Sequence, residues 1–522
     1  MTRHVITLAA GLALCPLLPA QDAKPPHQHE EAQKPGDKKP EEKKPEEKKP
    51  EKKGEDKKPE MGRAEGSVTI GCQKVEYKVT ATELPILKDG KPAAQVFYTS
   101  YTLKSAPDAA QRPVTFCFNG GPGSSSVWVH LGAFGPRKVE LPADGLTPPL
   151  PPGRLVENPN SLLDVTDLVF IDPVNTGYSR AEDPQKVGEF LGVREDVAAV
   201  GEFIRLWLTR EKRWRSPKFI AGESYGGIRG AGLAEYLASH DRIYLNGLVI
   251  VSGLLDYDVL TPGPLNDLPY QVLLPALTSV AHYHHKLPPD LQADRAKAIA
   301  EARAFAYGDY AHALLLDNAL PKAEHEAVVK KLARLTGLEP KLIEEQRLRI
   351  DGGFFREMLL RDQHLVLGGY DARVTAKDGT ETEQRPEMEP FMNVVGGVAA
   401  VAINSYLREE LHYEKDLPYE VLKGQPGWNH GRGNSYTSMN SALATAIKSN
   451  PHLHVLALVG MSDLVTPADN MIHSLRHMPL PESLRGNVSV AEYEAGHMMY
   501  TNEPDQKKMH ADISAFMKAC LK

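Results

Sequence analysis

Ser224 stands inside Gly222-Glu223-Ser224-Tyr225-Gly226-Gly227, a glycine-flanked serine of the form G-x-S-x-G. An apolar run at 218–221 precedes it and a helix-compatible segment follows, so the expected local structure is a sharp strand-to-helix turn that projects the hydroxyl from the end of a sheet. A serine hydroxyl is a weak nucleophile near neutral pH. It needs a base, and the base needs an orienting carboxylate. Both follow in the chain order Ser, acid, His that such folds use. The strand-like run 455–459 leads into Gly460-Met461-Ser462-Asp463, and the run 488–493 leads into Ala495-Gly496-His497. Asp463 and His497 are then expected in loops that open on the same side as Ser224, a constellation suited to acyl transfer.

The intermediate of acyl transfer carries a negative oxygen, which two aimed N–H groups can stabilise. Asn119-Gly120-Gly121-Pro122-Gly123-Ser124-Ser125-Ser126 directly follows the run 114–118, and its glycines would let backbone approach a ligand. Gly121 and Tyr225 are the candidate donors; a plain tight turn is the competing explanation. Other titratable residues have simpler readings. Asp469, His473 and His477 fall in a helical stretch, Asp469 as a cap or first-turn acid. The cluster His282-Tyr283-His284-His285 lacks a spaced carboxylate or cysteine, so no metal site is expected there.

These residues need a scaffold. Alternating segments at 67–70, 76–80 and 94–103, with an Asp89-Gly90 turn, predict a leading β-meander. Apolar runs at 114–118, 168–171, 218–221, 248–251 and 455–459 read as buried parallel strands, with helical patterns such as 193–209 and 228–239 between them. The expected fold is therefore α/β, an open and mostly parallel sheet covered on both faces. Residues 256–390 break the strand series with helical patterns, clearest at 291–307 and 322–335. They are expected to form a helical cap over the carboxyl ends of the strands, or a purely structural subdomain. The expected organisation is an export signal over 1–20, a linker over 21–64, a core over 65–255, the cap over 256–390 and the rest of the core over 391–522.

The first twenty residues have a polar start and an apolar stretch ending at Leu18-Pro19-Ala20, too short for a membrane span and interrupted by Pro16. Export, to a periplasm or the medium, is expected. Residues 24–60 collapse to Lys, Glu and Pro, with 12 lysines against 11 acidic residues, and cannot bury enough apolar surface to order themselves. They read as a spacer that could associate with an envelope. With 61 basic and 68 acidic residues, no concentrated basic face points to nucleic acid. Beyond the signal only Cys72, Cys117 and Cys520 remain, too few for a disulfide framework.

Taken together, the run 119–126, Asp172-Pro173-Val174-Asn175-Thr176-Gly177-Tyr178-Ser179, the 222–227 elbow and Gly496-His497-Met498 resemble the serine carboxypeptidase family, in an exported, bacterial-type form. The likeness spans about 112–253 and 455–504. It implies an α/β-hydrolase fold with an inserted helical cap, a peptide substrate with a free C-terminus, and no metal or organic cofactor. It makes Ser224 the nucleophile, Asp463 the orienting acid and His497 the base, with Gly121 and Tyr225 as oxyanion donors. Asn119 and Glu223 would bind the substrate's terminal carboxylate. Three positions depart from the family. Ala133 stands where its peptidases commonly carry a second glutamate, Cys117 where tryptophan is frequent, and Ser124 where a cysteine often sits. Loss of the second glutamate leaves the triad intact and keeps open an esterase, amidase or acyltransferase. A catalytically silent binding protein on the same fold is the third reading.

Overall fold

The computed structural model describes residues 61–106, 108–377, 389–431 and 437–522. The expected signal and residues 21–60 of the expected linker lie outside them. Three antiparallel strands open the fold: β1 (Met61–Ile70), β2 (Gln73–Lys88) and β3 (Lys91–Leu103). Asp89 and Gly90 have φ of 52° and 76°, the left-handed pair that a two-residue hairpin turn with the sheet's own twist requires. β1 starts earlier than the linker boundary at 64 implies. Gly62 pairs with Ala81, and a Cβ on it would stand 2.3 Å from the Leu411 carbonyl, so this end of the strand is packed.

The meander leads into six parallel strands: β4 (Val114–Phe118), β5 (Asp167–Ile171), β6 (Lys218–Glu223), β7 (Gly247–Val251), β8 (His454–Gly460) and β9 (Val488–Tyr493). Their order is β1-β2-β3-β5-β4-β6-β7-β8-β9, and Arg180–Ala181 adds a short edge piece to β3. Successive side chains of β4 feed opposite layers, Phe116 packing with Trp207 and Cys117 with Phe134. Both faces being covered, every residue of β4, β5, β6 and β7 is buried, which is why these strands read as continuous apolar runs. Helices α1 (Val193–Arg210) and α2 (Gly226–Tyr236) line one face.

Between β7 and β8 the chain is largely helical, with α3 (Leu268–Tyr283), α4 (Arg295–Ala306) and α5 (Lys322–Thr336) gathered around an apolar cluster of their own that includes Leu277, Leu332 and Phe355. The pattern at 291–307 is not one helix: the Asp294 carboxylate accepts the Lys297 N–H and starts α4 afresh. Next comes α6 (Pro390–Ser405) on the second face. The stretch Pro390–Glu410 has the length and mean hydropathy, 1.3, to cross a bilayer. Its Phe391, Val394 and Ile403 belong to the core under the sheet, which accounts for that composition. Helices α7 (Ala468–Arg476) and α8 (Glu503–Ala519) complete the fold.

From β4 the chain steps back to β5 and then crosses to β6 on the other side of β4. The order reverses there, leaving a crevice between the carboxyl ends of β4 and β6. Asn119 follows the first of these ends and Ser224 the second.

Candidate active site

Ser224 has φ of 61°, a left-handed backbone that a serine adopts only when its surroundings impose it. The imposition is local. Its N–H bonds to Val251 O at 3.0 Å, its carbonyl accepts the Gly227 N–H at 2.9 Å, and α2 begins two residues later. A Cβ at Gly222 would stand 2.3 Å from Gly226 O, so the turn closes this tightly only with glycine there.

Asp463 and His497, in the loops after β8 and β9, are brought together: Nδ1 of the imidazole lies 2.7 Å from Oδ2 of the carboxylate. Both are buried, at 0% and 1% exposure, so solvent does little to weaken the pair. The other oxygen of Asp463 accepts the Val465 and Thr466 N–H groups at 2.8 and 2.9 Å, fixing the carboxylate. With Nδ1 facing the aspartate, Nε2 is left as the nitrogen that can take a proton. Burial pulls the imidazole pKa down, but the charge and hydrogen bond of Asp463, with the fields of Glu223 and Glu389, outweigh it and raise it.

Asn119 and Glu223 also meet. Asn119 Nδ2 donates to Glu223 Oε1 at 2.9 Å, and the Tyr500 hydroxyl donates to Oε2 at 2.7 Å. Burial raises the Glu223 carboxyl to about 7, against the lowering effect of His497 and of these two bonds. Near neutrality this carboxyl is therefore poised between its two states.

Gly120 lies so close to the elbow that a Cβ on it would stand 2.4 Å from Tyr225 N. Gly121 follows at φ of 101°. Neither the Gly121 nor the Tyr225 N–H is spent in a hydrogen bond among the described residues. A buried cation ties this loop to the elbow. Arg229 donates from Nη1 to Asn119 O at 2.5 Å and from Nε to Asp196 at 2.7 Å, and the Tyr225 hydroxyl donates to the same Asp196 oxygen at 3.0 Å.

Several contributors carry no sequence signal. The Thr466 hydroxyl donates to Asp463 Oδ2 at 2.7 Å, within 3.0 Å of His497 Nδ1. The segment 369–372, after the helical stretch, grips the loops of both Asp463 and His497. Gly369 O accepts the Leu464 N–H at 3.0 Å, Tyr370 O the His497 N–H at 2.6 Å, and Asp371 Oδ2 the Gly496 N–H at 3.0 Å. Arg373 holds that Asp371 through both oxygens, at 3.0 and 2.8 Å. The contacts of 369–372 with the Asp463 and His497 loops follow no motif, since they join segments far apart in the chain.

The remaining candidates lie elsewhere. Asp469 sits in the first turn of α7 and pairs with Arg303 at 2.9 Å, while His473 and His477 stack on each other at 4.0 Å. His282 and His284 bond to the carbonyls of Gln292 and Ala372, at 3.0 and 2.7 Å. Among the described residues no group of His, Cys, Asp and Glu is placed to hold a metal ion. Of the three departures, Cys117 and Ala133 are buried and apolar in setting, and Ser124 accepts the Trp128 indole N–H at 2.9 Å.

A sharp serine turn after a buried parallel strand, with an Asp–His pair from two later strands, defines an α/β-hydrolase. The model of the serine carboxypeptidase family matches residues 87–494, and the chain belongs to that family. Over 174 residues it is 30% identical to serine carboxypeptidase-like 16 of Arabidopsis thaliana, covering 32% of this chain and 38% of that relative. It is equally 30% identical over 159 residues to the lysosomal protective protein of Mus musculus, covering 30% and 31%. The matched stretches thus span about a third of each curated relative. A solved structure, that of the prohormone-processing carboxypeptidase Kex1(delta)p of Saccharomyces cerevisiae, superposes with a TM-score of 0.51 at 15% identity, over 85% of this chain and 91% of that one. That likeness is one of fold.

Proposed function

We propose that this protein is an exported serine carboxypeptidase that removes the C-terminal residue of peptides, working in a periplasm or in the medium. The observation that carries the reading is the buried Asn119–Glu223–Tyr500 group beside the serine turn, a carboxyl that burial raises to about 7 where a free carboxylate would dock. Ser224 Oγ attacks the carbonyl carbon of the terminal peptide bond while its proton passes to His497 Nε2, and Asp463 stabilises the imidazolium. The oxyanion lies between the Gly121 and Tyr225 N–H groups. Collapse breaks the C–N bond, and His497 returns the proton to the departing amine. Water, deprotonated by the same imidazole, then hydrolyses the acyl-enzyme. The helices between β7 and β8 act as the cap over this site, and the Lys/Glu/Pro segment acts as a spacer that can associate with the envelope.

Ser224→Ala or His497→Ala is expected to lower release of the C-terminal residue from a synthetic peptide by several orders of magnitude, because nucleophile and base act as a unit. The wild-type serine should be labelled stoichiometrically by an organophosphonate. Undiminished release by purified Ser224→Ala protein would end the assignment. The Ala133 departure supports a second reading, an esterase, amidase or acyltransferase on the same triad. Equal turnover of free and C-terminally blocked substrates would favour it.

A further inference from the structure

A small cleft, part of it open to solvent, adjoins the site. It shares Tyr500 with the Glu223 group, and Met498, next to the base, lines it as well. Trp128 and Leu131 form a wall on the short helix whose Val129 N–H donates to Asn119 Oδ1 at 3.1 Å, and Val398 of α6 stands among the other lining residues. A residue whose carboxylate sat at Asn119 and Glu223 would have its side chain beside this cleft.

Apolar side chains supply much of the cleft's wall, and Lys138, Gln506 and Glu503 are among its polar lining residues. Lys138 Nζ donates to Gln506 Oε1 at 2.8 Å, a neutral partner that is itself committed, donating from Nε2 to Gly132 O at 2.9 Å. Among the described residues Lys138 has no carboxylate within ion-pair distance; Glu503 acts on it only through its field and is itself exposed. Partial burial lowers the lysine's pKa, as expected of an ammonium short of a counter-charge. The neighbouring Arg137, by contrast, is paired with Glu410.

We propose that this cleft receives the side chain of the residue being released and that the Lys138 ammonium makes it select acidic C-terminal residues, glutamate above all. The apolar walls take the methylenes, and the carboxylate reaches the ammonium beside Gln506. This rests on the carboxypeptidase reading and adds a substrate class to it.

The test compares kcat/KM at pH 7 for three peptides identical but for a C-terminal Leu, Gln or Glu. Wild-type enzyme is expected to favour Glu over Gln at least ten-fold. Lys138→Met should abolish that ratio while leaving the Leu peptide within about three-fold, which also shows that the variant is folded; Lys138→Glu should transfer the preference to a C-terminal lysine. Release of Leu without any preference for Glu over Gln, or a preference that survives Lys138→Met, overturns the subsite and spares the carboxypeptidase reading. If no peptide is trimmed, that reading fails, and the subsite is decided by calorimetry with Ser224→Ala protein and N-acetylglutamate against N-acetylglutamine. Equal affinities overturn the subsite there too, and a preference for the acid that Lys138→Met removes supports it.

Discussion

On the proposed mechanism Glu223 has two roles to reconcile, since a carboxylate beside the Gly121 loop opposes any anionic substrate, whereas a carboxylic acid can donate to one. Burial resolves the conflict by raising its pKa to about 7. Below that value the proton is present and a shared hydrogen bond forms; as pH rises through it the proton is lost, two carboxylates face each other, and binding weakens. In the proposed reaction His497 acts in the opposite sense, because it must be unprotonated to serve as base and its own pKa is raised. Taking the ratio of kcat/KM for a free-acid peptide to that for its C-terminal amide removes the His497 contribution. That ratio is expected to fall as pH rises from about 6 to 8, and Glu223→Gln should flatten it, since an amide donates at any pH. Parallel profiles for the two substrates in wild-type enzyme would remove Glu223 from carboxylate recognition. At this scale the sequence shows the groups that chemistry demands in fixed type and order: Ser224, Asp463, His497 and the two glycine runs. Tyr500 and Thr466 stay hidden, because a tyrosine that hydrogen-bonds a carboxyl 277 positions away has no spacing to betray it.

Among the elements, the segment after the helical insertion matters for alignment, because Asp463 and His497 sit on separate loops whose direct contacts, Ser462 N–H to Ala495 O at 3.2 Å among them, a third segment can reinforce as a restraint. Residues 369–372 supply that restraint by accepting N–H groups from both. Asp371→Ala removes the acceptor for Gly496 N–H and leaves Arg373, whose side chain is 5% exposed, without its partner. We expect kcat/KM to fall on the order of 10- to 100-fold, the cost of a small misplacement of reacting groups. Asp371→Asn keeps an oxygen for Gly496 and should recover much of the loss. The check is the pair of kcat/KM values beside the two melting curves; equal activity of Asp371→Ala and wild type would show that the grip is irrelevant to alignment. Strands β4 to β7 were legible as apolar runs because both of their faces are covered. The break at Asp294 was harder to see, since the apolar spacing continues across it and only the capping bond marks the new start.

For the molecule as a whole, the sheet order places Asn119 and Ser224 on either side of the reversal at β4, and β8 and β9 extend the same edge to Asp463 and His497. A mostly parallel sheet was readable from alternating strand and helix patterns. Its strand order was not, because nothing in the apolar run 168–171 says that it inserts between β3 and β4. The helices between β7 and β8 were legible as a class by composition, whereas the contacts of 369–372 with the site depend on tertiary packing. The central claim is that this arrangement trims peptides from a free C-terminus, and mass spectrometry of a defined peptide mixture tests it directly. Half of the peptides carry free C-termini and half are the same sequences amidated, incubated with wild-type and Ser224→Ala protein. Ladders shortened one residue at a time from the C-terminus are expected in the free-acid set, with wild-type protein alone. Internal cleavage, equal trimming of both sets, or intact peptides from an enzyme that turns over simple esters would contradict it.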